Sequence, residues 1–182
     1  MEVVLLSLLF GIYLFIRYFV VDHETPAEKD RRRFQAGIDL IQLRRYEEAH
    51  AYFDSAVKAF PKSGLAYAYR GKCRLQLGNQ HSALYDLTQA LSLDNTVSSS
   101  YLDRGIAFFQ LQLYQEAFRE FDKAIWYSRG MEPDPLRWRA MVGIHLQRIS
   151  QAEQDLRRAI ELGDENSVYV LKQPPFTKVM LS

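Results

Sequence analysis

Two hydrophobic patterns divide the chain. From Val3 to Val21 the residues read VVLLSLLFGIYLFIRYFVV, apolar on every face, with Arg17 as the one charge. From residue 26 onward, apolar residues recur instead at intervals of three and four, the period of a helix with one buried stripe. In Tyr46 to Phe60, Tyr46, Ala49, Phe53 and Ala56 fall on one such face. The stretch Phe34 to Leu43 before it predicts a second helix, with Gly37 inside it. Thr25-Pro26-Ala27-Glu28 predicts the start of the helical part, as a capping box with proline at the first helical position. Pro61-Lys62-Ser63, Asp94-Asn95-Thr96 and Gly130 to Pro135 predict later breaks, with Ser63 and Asp134 as helix caps.

The helical pattern returns every 34 residues. Ala49, Ala83 and Ala117 keep that spacing, as do Ala56, Ala90 and Ala124, and Gly37, Gly71 and Gly105. Phe53, Leu87 and Phe121 hold one large apolar position on the same period. A fourth copy follows at a spacing of 35, through Ala140, Leu146, Ile149, Ala152, Leu156 and Ala159. A glycine inside a helix costs about 1 kcal/mol relative to alanine. Its return at one register predicts that another side chain fills the space. Each unit therefore reads as two antiparallel helices pressed together where the small residues meet, and the fold class as all-α.

A 34-residue helix-turn-helix unit with this pattern resembles the tetratricopeptide repeat. Repeat one matches through Gly37, Tyr46, Ala49, Phe53, Ala56 and Pro61, and repeat three through Gly105, Tyr114, Ala117, Phe121 and Ala124. Repeat two departs at Gln80 and Asn95, and repeat four carries Ala140 for the glycine. The resemblance implies a right-handed α-solenoid of four repeats at about residues 30–63, 64–97, 98–131 and 133–166. They lie within a domain over 26–166, preceded by one transmembrane helix over 1–21 and a linker at 22–25. A tail or short cap follows at 167–182.

The resemblance also implies a concave face, lined by the first helix of each pair, that holds a peptide or helix of a partner protein. The lining positions in repeat one are Phe34, Ile38, Ile41 and Gln42. Repeat two supplies Tyr69, Lys72, Leu75 and Gln76, and repeat three Leu102, Ile106, Phe109 and Gln110. Repeat four supplies Trp138, Met141, Ile144 and His145. Gln42, Gln76 and Gln110, with His145 in the fourth place, read either as an amide ladder for an extended backbone or as solvated helix ends. The apolar stripe beside them marks an interface, unless residues 165–182 fold back over it. Some family members hold C-terminal carboxylates in a Lys/Asn/Arg clamp. Those positions here are Phe34, Ile38, Tyr69, Ser99 and Asp103. None matches, which argues against that mode.

Composition narrows the function further. Lys and Arg total 23 against 22 Asp and Glu, a net charge of +1, which argues against nucleic acid held by phosphate neutralisation. One cysteine makes neither an internal disulfide nor a Cys-based metal site, and Cys73 reads as a buried small side chain. No HExxH, GxSxG or glycine-rich phosphate loop occurs, and the four histidines are scattered. The expectation is a non-enzymatic chain without cofactor or metal.

Nineteen residues over 3–21 reach roughly 28 Å as a helix, close to the ~30 Å hydrocarbon core, and predict a membrane anchor. The rival, a cleaved signal peptide, lacks a basic residue before the apolar run and a small-residue site after it. Arg17, Lys29, Arg31, Arg32 and Arg33 flank its C-terminal side, which predicts the N-terminus outside and the repeats in the cytoplasm. The resulting expectation is a single-pass, membrane-tethered scaffold or adaptor, with self-association through the end of the stack as an open possibility. The alternatives are a periplasmic-facing assembly factor and a regulatory subunit of a membrane enzyme complex.

Overall fold

A computed structural model describes residues 2–18 and 26–177. Among these residues the chain forms eleven helices and no strand. Helix α1 is Glu2–Ile16. Helices α2 (Pro26–Arg33) and α3 (Gln35–Gln42), divided at Phe34, make up the first helix of repeat one. Then follow α4 (Tyr46–Ala59), α5 (Gly64–Gln76), α6 (Gln80–Leu93), α7 (Ser98–Gln110) and α8 (Tyr114–Tyr127). The last are α9 (Pro133–His145), α10 (Ile149–Glu161) and α11 (Glu165–Leu171). Helices α5 with α6, α7 with α8 and α9 with α10 pack as pairs, and each first helix also packs on the second helix of the pair before it. First helices adjoin one another along the stack, α5 with α7 and α7 with α9. This is an all-α solenoid.

The recurrent glycines have the predicted cause. A Cβ on Gly105 would lie 2.5 Å from Cε1 of Phe121, and one on Gly37 2.4 Å from Cδ1 of Tyr52. One on Gly71 would lie 2.9 Å from Cγ of Leu87. Phe53, Leu87 and Phe121 are fully buried, as are Ala49, Ala83 and Ala117. Small residues on one helix thus admit a large side chain from its partner, and each pair closes around that contact.

Polar side chains tie the pairs to one another. Arg70 donates from Nε and Nη2 to the fully buried Asp86 at 2.9 and 2.8 Å, and from Nη1 to Asp54 at 2.9 Å. Arg139 repeats this, donating to Asp155 and, at 2.6 Å, to Asp122. Each of these arginines joins the second helix of its own pair to that of the preceding pair. Arg104 reaches Glu120 at 2.8 Å, but toward the preceding pair it meets the hydroxyl of Thr88, at 3.4 Å. Asp54, Thr88 and Asp122 are spaced by 34, so a threonine stands where the neighbouring rungs have a carboxylate.

The first helices end alike. After Leu43, Leu77, Leu111 and Leu146, the residues Arg44, Gly78, Gln112 and Gln147 all take a positive φ. In repeat one the N–H of Arg44 returns to Ile41 and that of Arg45 to Leu40, the paired bonds of a Schellman turn. Ser63 caps α5 as predicted, its Oγ accepting from the Ala66 N–H at 3.2 Å. The other two predicted breaks are built differently. Asp94 accepts from the N–H and hydroxyl of Thr96 in a turn, leaving Val97 at the N-cap of α7. Asp134 lies inside the first turn of α9, which Pro133 opens. Thr25, in the predicted capping box, lies outside the described residues.

The predicted membrane-spanning helix is described only in part. No helix among the described residues is long and apolar enough to cross a membrane. Helix α1 has 15 residues, about 22 Å at 1.5 Å each, and gives way to a wider π turn at 17–18. Residues 19–21 of the expected span lie outside the described residues. Within 4–18 every residue is exposed.

The tail, through residue 177, caps the stack. Helix α11 packs on α10 as the first helix of a fifth unit would, cut short after seven residues. Asp164 fixes it there. Its carboxylate accepts from Arg137 at 2.6 Å and from the Ser167 N–H and hydroxyl at 3.2 and 2.5 Å. Val170, Leu171 and Phe176 join Ile144 against Ala140, Ala152 and Leu156. Residues 178–182 lie outside the described residues.

Candidate functional site

The first helices α3, α5, α7 and α9, with Phe34 just before α3, carry the predicted lining residues at differing depths of burial. Two of them are core. Phe34 is 1% exposed, edge-on to Phe53 and Phe60, and Leu75 is 2% exposed beside Ala83 and Leu87. The division at Phe34 lets its ring turn inward. Ile38, Ile41, Tyr69, Leu102, Ile106, Phe109, Trp138, Met141 and Ile144 are half-buried, lodged against the core while presenting an edge. Tyr69, for instance, stacks on Phe53 at 5.1 Å. Gln42, Gln76, Gln110 and His145 are exposed, each the last residue of its helix.

The aromatic part is concentrated at one end. Phe109 meets the ring of Trp138 at 5.5 Å, of Tyr114 at 5.7 Å and of His145 at 5.6 Å, each edge to face. Tyr114 and His145 stack with centroids 4.3 Å apart and planes 7° from parallel. Trp138 also stacks on the buried Phe121 at 6.2 Å. Sequence reasoning placed Phe109, Trp138 and His145 here but left Tyr114 with the second-helix pattern. Its place as the first residue of α8, one short turn after α7, brings it to the same cluster.

The charges on this face are almost all engaged. Arg70, Arg104 and Arg139 belong to the rungs between pairs, Arg74 pairs with Asp86 at 2.8 Å, and Arg137 pairs with Asp134 and Asp164. What remains is Lys72, whose Nζ lies 3.8 Å from Oδ2 of Asp103. Burial pushes the Asp103 carboxyl above its ordinary range; Lys72 lowers it and Asp134 adds to the rise. Asp164 goes the other way. Burial alone would raise it, but hydrogen bonds from Ser167 and Arg137 outweigh that and hold it low. Cys73, fully buried, is pushed up to about 12 by burial and is a packing residue, not a nucleophile.

A stability prediction follows for Asp103. Its folded-state pKa lies above the unfolded value of about 3.9. In the window above that value the folded chain holds a proton that the unfolded chain has lost, so this group's contribution falls as pH rises. Asp103→Asn is therefore expected to melt above the native chain at pH 7, with the advantage vanishing below about pH 4, where both states are protonated. A lower melting temperature at pH 7 would show that Lys72 outweighs the burial.

A cavity of about 300 Å³ lies toward the other end of the helices, lined by Asp30, Gly64, Ala68, Leu93, Asp94 and Ser100. Among the described residues no group of His, Cys, Asp and Glu has the arrangement of a metal site.

Residues 34–98 match the family model of the tetratricopeptide repeat. Hsp70-Hsp90 organizing protein 1 of Glycine max is 28% identical over 85% of this chain. Hsp70-Hsp90 organizing protein 2 of Arabidopsis thaliana is 26% identical over 87%. This chain spans 28% of the length of each. Among solved structures, a MamA double mutant superposes with a TM-score of 0.63 at 19% identity, covering 82% of this chain and 80% of that one. The second tetratricopeptide domain of Spaghetti, bound to the Hsp90 peptide SRMEEVD, superposes with a TM-score of 0.53 at 21% identity, covering 55% of this chain and 92% of that one. Over residues 34–98 the chain is thus similar in sequence to tetratricopeptide repeats, and the helix pairs continue one architecture through the fourth.

Proposed function

We propose that this tetratricopeptide-repeat protein is a non-catalytic adaptor. Its first-helix face takes up a peptide or helix from a partner protein, and α1 with the residues after it tethers the repeats to a membrane from the cytoplasmic side. The observation that carries the adaptor reading is the cluster of Phe109, Trp138, Tyr114 and His145. It is a half-buried aromatic surface along the first helices, in a fold that the Spaghetti domain shares and in which that domain is bound to a peptide. Rigid aromatic edges set in a packed wall are the usual energetic centre of an interface. The tether is supported by α1 alone: apolar on all sides, with its large side chains 46–69% exposed between residues 4 and 18. A helix of that kind is stable only when an apolar medium surrounds it.

A photo-crosslinking residue at the exposed Gln110, in membranes, tests the adaptor reading. Adducts are expected that Phe109→Ala and Trp138→Ala each reduce about tenfold or more, the cost of an interface hot spot, with helicity by circular dichroism retained. Adducts indifferent to both substitutions would exclude the face. For the tether, the full chain is expected to float with phospholipid vesicles, and to stay in the soluble fraction when Leu5, Leu6 and Leu9 are changed to Gln. A reporter fused after Ser182 reads the side of the membrane; activity only outside the cytoplasm would reverse the orientation.

A further inference from the structure

We propose that the first-helix face selects a partner segment with a basic side chain, which pairs with Asp103 while an apolar residue three positions away packs on Trp138 and Phe109. This rests on the peptide-binding reading of the face and adds to it the chemistry of the bound segment. Asp103 is the carboxylate on this face without a firm partner. Its side chain is 10% exposed, and Lys72 at 3.8 Å is beyond hydrogen-bond length. Lys72 is itself 38% exposed at its side chain, so its ammonium keeps water as an alternative partner. Among the described residues no side-chain polar atom is both sealed from solvent and unpartnered. The Asp103 carboxylate, which receives no hydrogen bond there, therefore opens onto the face. Burial penalises its charge further, so an incoming ammonium or guanidinium relieves a cost the free protein carries.

An acidic segment fares badly at the same place. The arginines that could receive it are held by Asp54, Asp86, Glu120, Asp122, Asp155 and Asp164, leaving Asp103 to repel it. The spacing comes from the repeat. Asp103 on α7 and Trp138 on α9 sit at corresponding places one unit apart, on adjoining first helices. Packed helix axes lie about 8–10 Å apart, a distance three extended residues cover at about 3.3 Å each. The bound segment is thus basic-x-x-apolar, or its reverse.

Panning a display library of random dodecamers against the full chain tests this, with affinities of the selected peptides measured by fluorescence anisotropy. The expected consensus has Arg or Lys three positions from an aromatic or branched apolar residue. Asp103→Asn, of nearly equal volume, should weaken binding about tenfold or more, the cost of a lost charged hydrogen bond. Norleucine in place of the basic residue in the peptide should cost as much without any change to the protein, and the two losses should not add. A neutral or acidic consensus, or equal binding by Asp103→Asn, overturns the proposal. If such peptides are still lost on Trp138→Ala, the face remains a docking site and only the basic selectivity falls. An empty selection, or peptides indifferent to Trp138→Ala and Phe109→Ala, removes both.

Discussion

Gly105→Ala is expected to lower the melting temperature by about 4–8 °C, on a scale of about 2–4 °C per kcal/mol for a chain of this size. The added Cβ meets three atoms of the Phe121 ring at 2.5, 2.7 and 3.0 Å. That ring is fully buried and stacked against Trp138, so it has nowhere to retreat. Overpacking of this kind costs typically 1–3 kcal/mol and occasionally more, against which alanine returns about 1 kcal/mol of helix propensity. A contact this short against a fixed ring puts the outcome at the upper end. Repeat two indicates the remedy, since Gly71 there faces Leu87 at the longer 2.9 Å. Gly105→Ala with Phe121→Leu should recover part of the loss, a positive coupling between the two sites. Differential scanning fluorimetry on the four chains decides it; an unchanged or raised melting point for Gly105→Ala would mean that the pair is not closed around this contact.

The second large effect is expected from Asp86→Ala. Asp86 is fully buried and neutralises two guanidinium groups, Arg70 at 2.8 and 2.9 Å and Arg74 at 2.8 Å. Removing it leaves Arg70, itself buried, with Asp54 alone. Breaking a buried pair from one side costs about 3–5 kcal/mol, because a charge stays behind in a place water does not reach. Removing both partners costs less, so Arg70→Met with Asp86→Leu should be more stable than Asp86→Ala. Urea unfolding of these chains measures the difference. A loss under about 1 kcal/mol for Asp86→Ala would show that the rung is solvated, on the scale of exposed pairs.

The architecture was legible because it rests on a period. Glycine and alanine recur at 34 where two backbones must approach, and the large residue each glycine admits, Phe53, Leu87 or Phe121, recurs with it. The ends of the first helices were not legible. Three of the four left-handed positions carry Arg44, Gln112 and Gln147, where the sequence shows glycine only at Gly78. The lining positions were legible as residues of the first helices, but not which of them are buried. Helical spacing places Phe34 and Leu75 in line with the lining positions, but a helix has two buried sides once it packs between neighbours, and their rings and methyls turn to the core. The rungs were not legible: Arg70 and Arg104 each precede a recurrent glycine, but their acids lie 16 residues away on other helices. The extent expected for the first helix rested on hydropathy, which counts apolar residues without fixing where the helix stops, and α1 ends at Ile16.

The threonine at position 88 matters beyond its own contact. The interior junctions of the stack are otherwise packed alike. Of the three, the one between α6 and α7 lacks a second carboxylate for its arginine. In a linear array whose units touch only their neighbours, cooperativity is broken at the weakest junction. The molecule is therefore expected to behave as two halves hinged near Thr88, their backbone amides exchanging with deuterium earliest along that boundary. Asp103 and Lys72 lie on opposite sides of the hinge, so the ion pair between them is its clasp.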